Sequence, residues 1–283
     1  MYCAIVAEID KRLEDPVAVF FIQNLSCNLL LEENGKKLRV VGYLSPRLPI
    51  EDKKRQLTQY LSQLKMANPS FLEGTTFVRY EKECDWVAHF KKSFKPRQVA
   101  PGWWVVPPWN KGHHDNEIIV EPKMAFGTGG HATTQLCCQA ARGVVKPGMR
   151  VLDFGSGTGL LAMLAAKLGA ANVLGIDKDS LAVDNARENI GLNNIGTQVR
   201  IIWGSVEVIP SEKFDLIFAN LILRQVKEFF PRFKRALKKE GLLVASGILT
   251  YQLPALARFL DKQRAGIVAL GRDSDWTALI ISP

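Results

Sequence analysis

Seven residues constrain the fold of this chain more than any others: Asp153-Phe154-Gly155-Ser156-Gly157-Thr158-Gly159. They leave an apolar, β-rich run over residues 150–154 and enter a helical run over 158–168. Glycines at such a junction let the backbone turn sharply and bring a ligand against the main chain and a helix N-terminus. Several nucleotide-binding folds share a glycine loop, so the spacing has to decide between them. A dinucleotide fingerprint needs Gly-x-Gly-x-x-Gly, and the sixth position from Gly155 is Leu160. The phosphate-cradling Gly-x-x-x-x-Gly-Lys-Ser/Thr is absent too. A nicotinamide-dependent oxidoreductase therefore fits the chain poorly.

From the loop onward, strand and helix patterns alternate. Strands are expected over 150–154, 172–176, 198–203, 214–219 and 242–246, and helices over 158–168, 180–192, 226–237 and 255–262. Such alternation predicts an α/β fold with a doubly wound, mostly parallel, Rossmann-like sheet. Strands at 267–270 and 277–281 have no helix between them and should pair antiparallel at one edge, completing seven.

The front of the chain has a shorter rhythm. Strands over 2–9, 28–32, 37–44 and 75–81 and helices over 13–25 and 50–66 follow the order β-α-β-β-α-β of a ferredoxin-like domain, assigned to residues 1–84. Pro16 falls in the first turn of the first helix, Asn34-Gly35 suits a tight hairpin, and Leu57, Tyr60, Leu61 and Leu64 make a helical stripe. Residues 85–116 mix Trp86, Trp103, Trp104 and Trp109 with Pro96, Pro101, Pro107 and Pro108 and with Lys91, Lys92, Lys95 and Arg97. They read as a partly ordered connector packed on the domain formed by 117–283.

Composition narrows the class further. With 47% hydrophobic and 23% charged residues, the chain has the makings of a packed core and is not a disordered protein. The richest apolar stretch, 17–22, stops at Gln23-Asn24, far short of the ~18–20 residues of a membrane span. Glu8 and Asp10 interrupt a start that has no basic lead, so no signal peptide is expected. Five cysteines show no metal-ligand spacing and read as reduced thiols in the cytoplasm. A net charge of +9 favours anionic partners. Residues 224–239 hold Arg224, Lys227, Arg232, Lys234, Arg235, Lys238 and Lys239 against Glu228. That run is either a solvated helix face or a basic face that meets RNA.

Other residues carry candidate chemistry. Asp177 ends the second long-domain strand, where a carboxylate can accept both hydroxyls of a ribose. Asp179 is placed to cap the following helix. Ser205 and Val206 follow the third strand, where an adenine edge would lie. Asp215 opens the fourth strand and Asn220 closes it, at the carboxyl end of a central strand beside the switch point of the sheet. The run Met124-Ala125-Phe126-Gly127-Thr128-Gly129-Gly130-His131-Ala132-Thr133-Thr134 precedes a helix that Thr133 or Thr134 would cap. His131 has no second His or Cys at ligand spacing, so no metal site is expected.

Together, Phe126 to Thr134, the loop Asp153 to Gly159, Gly175-Ile176-Asp177, Ala219-Asn220-Leu221 and Ser246-Gly247-Ile248 resemble the ordered motifs of PrmA-type ribosomal protein methyltransferases. The front domain and Trp-rich connector fit that architecture, so the likeness spans nearly the whole chain. Gly130 and Ala132 stand where that family usually has Thr and Pro, and Ser156 where it has Cys. The resemblance implies S-adenosyl-L-methionine as cofactor and methylation of lysine side chains and the N-terminal amine of large-subunit ribosomal protein eleven. It also implies a front domain that grips this substrate. On this reading Gly155, Gly157 and Gly159 bracket the methionine end, with Asp153 in the same loop and Phe126, Gly127 and Thr134 from the other run. Asp177 holds the ribose, Ser205 lies by the adenine, and Asn220 with the Leu221 carbonyl receives the amine. Two alternatives stay open: a methyltransferase for rRNA or tRNA, and a cofactor-binding module without turnover.

Overall fold

The computed structural model describes residues 2–25, 29–34, 37–44, 48–81, 94–123 and 125–283. The chain divides into two units, Met1–Phe94 and Lys95–Pro283. In the first, β1 (Tyr2–Asp10), β2 (Leu29–Asn34), β3 (Lys37–Leu44) and β4 (Thr75–Glu81) form an antiparallel sheet of order β2-β3-β1-β4. Alternate residues Ile5, Ala7 and Ile9 of β1 join Leu38, Val40 and Leu44 of β3 in a core closed by two helices. α2 (Ile50–Ala67) buries Leu57 and Leu61 of the expected stripe, with Tyr60 and Leu64 at its margin. α1 (Glu14–Phe20) is shorter than the helix expected over 13–25. Asp10 takes the N–H of Arg12 and starts a 3₁₀ turn over Lys11–Leu13, and a wider turn, Phe21–Leu25, follows α1. Residue 28 and Gly35 of the expected strand and hairpin lie outside the described residues.

In the second unit, the Trp/Pro-rich stretch is more regular than its prolines suggest. β5 (Arg97–Ala100) and β6 (Trp103–Val106) form a hairpin around Pro101-Gly102, and β7 (Glu117–Ile119) adds parallel to β6. Pro96, Pro101, Pro107 and Pro108 bound these strands without interrupting them, which is where proline costs no ladder bond. Trp86, Lys91 and Lys92 lie outside the described residues.

The large sheet contains β8 (Arg150–Phe154), β9 (Asn172–Asp177), β10 (Val199–Trp203), β11 (Phe214–Asn220), β12 (Leu237–Leu249), β13 (Gly266–Asp273) and β14 (Trp276–Ser282). Its order is β10-β9-β8-β11-β12-β14-β13, parallel through β12, with β14 antiparallel to both neighbours. Five helices serve it: α3 (Ala132–Val144), α4 (Leu160–Lys167), α5 (Ser180–Leu192), α6 (Leu223–Ala236) and α7 (Leu253–Lys262). α4 is buried from Leu160 to Ala166, as its all-round apolar sequence requires. Phe214, Phe230 and Phe233 fill the core under α6.

The helix expected over 226–237 begins and ends earlier than its pattern. β12 starts at Leu237, which pairs with Phe214, and so takes Lys238 and Lys239 out of the basic helix. Lys238 instead reaches Asp215 at 2.7 Å. The position that matters most for chemistry lies between β8 and β11. The chain adds β9 and β10 on one side of β8 and β11 and β12 on the other, which opens a crevice at the carboxyl ends of β8 and β11.

Candidate active site

The glycine loop fills that crevice, and each glycine answers to a local demand. Gly155, Gly157 and Gly159 have φ of +76°, +53° and +78°. A Cβ on Gly157 would stand 2.1 Å from the carbonyl oxygen of Phe126, so no side chain fits there. Gly159 is the N-cap of α4 and has no capping group. Asp153 supplies one from beneath, its Oδ2 accepting the N–H of Ala162 at 3.1 Å. The Asp153 carboxyl is fully buried, and burial, helped by the nearby Asp177, pushes its pKa up to about 7.

From Gly155 to Gly159 every backbone N–H is used inside the protein. Gly155 and Ser156 donate to the Ile176 carbonyl, Gly157 to Asp177 Oδ2 at 2.8 Å, Thr158 to the Phe126 carbonyl, and Gly159 to that of Ser156. Among the described residues, no backbone N–H donates to the carbonyls of Gly155 or Gly157. A loop whose backbone N–H groups are spent and whose Gly155 and Gly157 carbonyls are free suits a cationic group better than a phosphate. This is the structural counterpart of the failed dinucleotide spacing.

Residues 125–131 lie across the loop as a strap. Thr158 binds it twice, through its N–H to Phe126 and through Oγ1 to the Gly127 carbonyl at 2.7 Å. Behind it runs a ladder not anticipated from the sequence: Asn185 and Asn189 on one face of α5 and Asn193 at its C-cap, all buried. Asn193 exchanges two bonds with Ile119, and Asn185 donates to the Glu121 carbonyl. Asn189 accepts the Glu121 N–H at 2.8 Å and donates to the Thr158 carbonyl at 2.9 Å, joining the segment that follows β7 to the glycine loop through one side chain. The period-four asparagines on a helix otherwise burying Ala182, Ala186 and Ile190 are the signal that could have revealed them. Replacing Asn189 with leucine removes the acceptor of the half-buried Glu121 N–H and the donor to the buried Thr158 carbonyl, with an expected loss of about 2–4 kcal/mol. Urea denaturation reads this directly, and a loss under about 0.5 kcal/mol would show that the ladder is idle.

The helix after the strap is capped by His131, whose Nδ1 accepts the N–H of Thr133, and not by Thr133 or Thr134. Both threonines are buried inside α3. Burial lowers His131 to a pKa of about 4, so the ring is neutral and free to accept; it packs edge-on against Trp276. Thr134 instead serves Asn220, whose Nδ2 donates to Thr134 Oγ1 at 3.4 Å. Among the described residues Asn220 Oδ1 has no hydrogen-bond partner. Leu221 follows at the end of β11, its N–H on the Ser246 carbonyl at 2.9 Å. A Cβ on Gly155 would touch Leu221 Cδ2 at 3.0 Å, so the glycine loop and Asn220-Leu221 are neighbours.

Asp177 ends β9, with Oδ1 accepting from Asp179 and Oδ2 from Gly157. Each oxygen keeps a second lone pair. Burial, the largest effect, raises its pKa against those two N–H groups. Asp179 caps α5 through the Leu181 N–H, as its position predicts. Gly204 donates to the Asp177 carbonyl and brings the neighbouring Ser205 beside it; the Ser205 N–H binds Glu207. The structure thus brings together Phe126, Gly127, Thr134, Asp153, the three glycines, Asp177, Ser205, Asn220 and Leu221 at one end of the sheet. No group of three His, Cys, Asp or Glu that could hold a metal occurs among the described residues. An open depression of about 780 Å³ lies elsewhere, along β10 between Arg187 and Glu212, where only a short 3₁₀ turn covers the sheet before β11.

Comparison with known proteins agrees with this geometry. The family model described as ribosomal protein L11 methyltransferase (PrmA) matches residues 26–282. A Clostridium perfringens protein named ribosomal protein L11 methyltransferase is 33% identical over 254 residues, covering 89% of this chain and 81% of its own. One of the same name from Desulfitobacterium hafniense is 34% identical over 243 residues, covering 85% and 77%. A crystal structure of a ribosomal protein L11 methylase from Lactobacillus delbrueckii subsp. bulgaricus superposes with a TM-score of 0.62 at 31% identity, covering 67% of this chain and 98% of its own. With its motifs, its sheet order and these relatives in agreement, the chain belongs to the ribosomal protein L11 methyltransferase (PrmA) family.

Proposed function

We propose that this protein methylates lysine ε-amines, the N-terminal α-amine, or both, of ribosomal protein L11 in the cytoplasm, with S-adenosyl-L-methionine as donor. One observation carries the reading of the site. Asn220 is tethered through its amide nitrogen to a buried threonine, leaving its oxygen unpartnered among the described residues, beside a glycine loop whose backbone offers only carbonyls. The donor supplies a methyl already activated on a sulfonium sulfur. The residues present fit it: free carbonyls at Gly155 and Gly157 suit the ammonium of its methionine end, and Asp177 retains acceptor capacity for ribose hydroxyls. Asp153 acts through the loop and α4, Phe126 and Gly127 hold the loop through Thr158, and Ser205 borders the adenine.

The chain's own task is then alignment and acceptance of a neutral amine. A lysine with a pKa near ~10.4 costs roughly 4–5 kcal/mol to neutralise at pH 7. A partly buried crevice offsets part of this by disfavouring the ammonium. Asn220 Oδ1 and the Leu221 carbonyl accept the amine's hydrogens and aim its lone pair into the crevice, where a bound donor would supply its methyl to the nitrogen and leave as a thioether while the amine's surplus proton would pass to solvent. The first unit grips the ribosomal protein. The outward side of α6, with exposed Arg224, Arg232 and Arg235, is available to rRNA, and binding that weakens steeply with salt is the signature of such contact.

Incubating the protein with labelled S-adenosylmethionine and an under-methylated ribosomal extract tests the substrate. Mass spectrometry should find the label on L11, and label confined to RNA would overturn the proposal. Asp177→Ala removes the ribose acceptor and should weaken cofactor binding by about 10–100-fold in calorimetry. An unchanged dissociation constant would remove Asp177 from the site.

A further inference from the structure

The bulge in β12 bears on the same reaction, and we propose that Gly247 is a positioning residue that sets the Leu221 carbonyl for the acceptor amine. The inference rests on the reading of Asn220 and Leu221 given above and adds the group that governs their geometry. Between Ala245 and Ile248 the register of β12 against β14 shifts, so Ser246 and Gly247 together oppose the single residue Ala278. Ser246 stays in the parallel ladder opposite Asn220 and takes the Leu221 N–H. Its own Oγ is anchored on the Thr277 carbonyl at 3.1 Å.

Gly247 then turns away at φ +83° and slides its bare Cα beneath the Leu221 peptide. A Cβ there would stand 2.5 Å from the Leu221 oxygen, 2.8 Å from its carbonyl carbon and 3.2 Å from its nitrogen. These are backbone atoms and cannot swing aside as a side-chain tip would. Asn220 is held by the ladder and by Thr134, so the peptide that must yield is the one carrying the Leu221 carbonyl. The sheet fixes one acceptor and the bulge fixes the other.

Glycine at a positive φ has a second explanation, backbone strain, and the fold contains its own control. Gly148, ahead of β8 and so at the opposite end of that strand from the glycine loop, has the same φ of +83° with nothing within 4 Å of its would-be Cβ. Gly148→Ala and Gly247→Ala should therefore share the cost of a left-handed alanine and differ only in the contact with Leu221.

Thermal melts, calorimetry with S-adenosylmethionine and steady-state kinetics on the protein substrate would be run on both variants and on Asn220→Ala. Both glycine variants are expected to fold and to bind the cofactor within about threefold of the parent, with Gly247→Ala losing more stability than Gly148→Ala because the Leu221 peptide must shift. Gly247→Ala should lose about 10²-fold in kcat with little change in KM, and Gly148→Ala should keep parental turnover. Gly247→Asn, which tolerates a positive φ better but has the same Cβ, should lose turnover equally. If Gly247→Ala turns over like Gly148→Ala while Asn220→Ala is impaired, the inference falls and the reading of the site stands. If Asn220→Ala also keeps its kcat, that reading falls with it. Failure of both Gly247 variants to fold, beside a folded Gly148→Ala, would make Gly247 a structural requirement only and overturn the proposal.

Discussion

Asn220→Ala is expected to lower kcat by about 10²–10³-fold while cofactor affinity stays within a few-fold of the parent. The asymmetry follows from where the side chain sits. Its nitrogen is committed to Thr134 Oγ1 and its oxygen has no protein partner among the described residues, so the oxygen contributes little until an amine arrives. The demand on it then grows, because the amine nitrogen acquires positive charge as the new bond forms. An acceptor whose interaction strengthens in the transition state shows up in kcat, and in kcat/KM to the same degree, but not in ground-state cofactor binding. Thr134→Val, which removes only the tether, should cost less, about tenfold. Asn220→Asp makes a sharper test. A carboxylate would favour the ammonium form of the incoming lysine and move the rising limb of the kcat–pH profile upward. Equal losses of turnover and cofactor affinity in Asn220→Ala would mean that the residue merely supports the crevice.

How much of this was legible beforehand depends on what kind of partner each residue has. The glycine loop, Asp177 and the Asp179 cap could be placed because each follows from the residue's own position between a strand and a helix. The α/β alternation was equally plain, since buried parallel strands read as short apolar runs between glycine-rich turns. Residues whose partners are backbone atoms far along the chain did not name those partners. The asparagine spacing marks a buried polar face at Asn189 but not the carbonyl 31 positions away at Thr158, and nothing in Gly247 announces the Leu221 peptide. The bulge is a property of register between two strands, so no periodicity within β12 encodes it. Thr133 and Thr134 misled for a different reason. They are favoured capping residues, but their methyl groups also let them be buried, and the neutral His131 ring takes the cap. The basic run was split because pairing of Leu237 with Phe214 ends α6 before Lys238.

The largest expected stability effect is masked in the parent protein, because two buried groups titrate with opposite signs. Asp153 is pushed up to about 7 and His131 down to about 4, in both cases by burial. Their unfolded values are near ~3.9 and ~6.5. Between those limits native Asp153 keeps a proton that the unfolded chain has released, so its contribution is full at low pH and is lost as pH rises towards 7. The loss amounts to about 4 kcal/mol. Native His131 lacks a proton that the unfolded chain holds, so its contribution is lost as pH falls from about 6.5 towards 4, a change of about 3 kcal/mol. The two slopes nearly cancel between pH 4 and 6.5. Asp177, also raised by burial, adds to the falling side in parent and variants alike. Cys137, pushed up to about 12, and Cys138, raised with it, act on the alkaline side, and Glu117 and Asp215, lowered in the fold, add a loss as pH falls through the carboxylate range in parent and variants alike. Differences between unfolding curves therefore isolate each group. Asp153→Asn can still accept the Ala162 N–H, and it should gain about 4 kcal/mol on the parent between pH 4 and pH 8. His131→Gln should lose about 3 kcal/mol relative to the parent over pH 4 to 7, its curve falling where that of Asp153→Asn rises. The double variant should keep the fall that Asp177 contributes and lose the two opposing slopes. Parallel curves for parent and single variants would mean that neither group is held away from water as the fold requires, and the burial argument at the base of the glycine loop would fail with them.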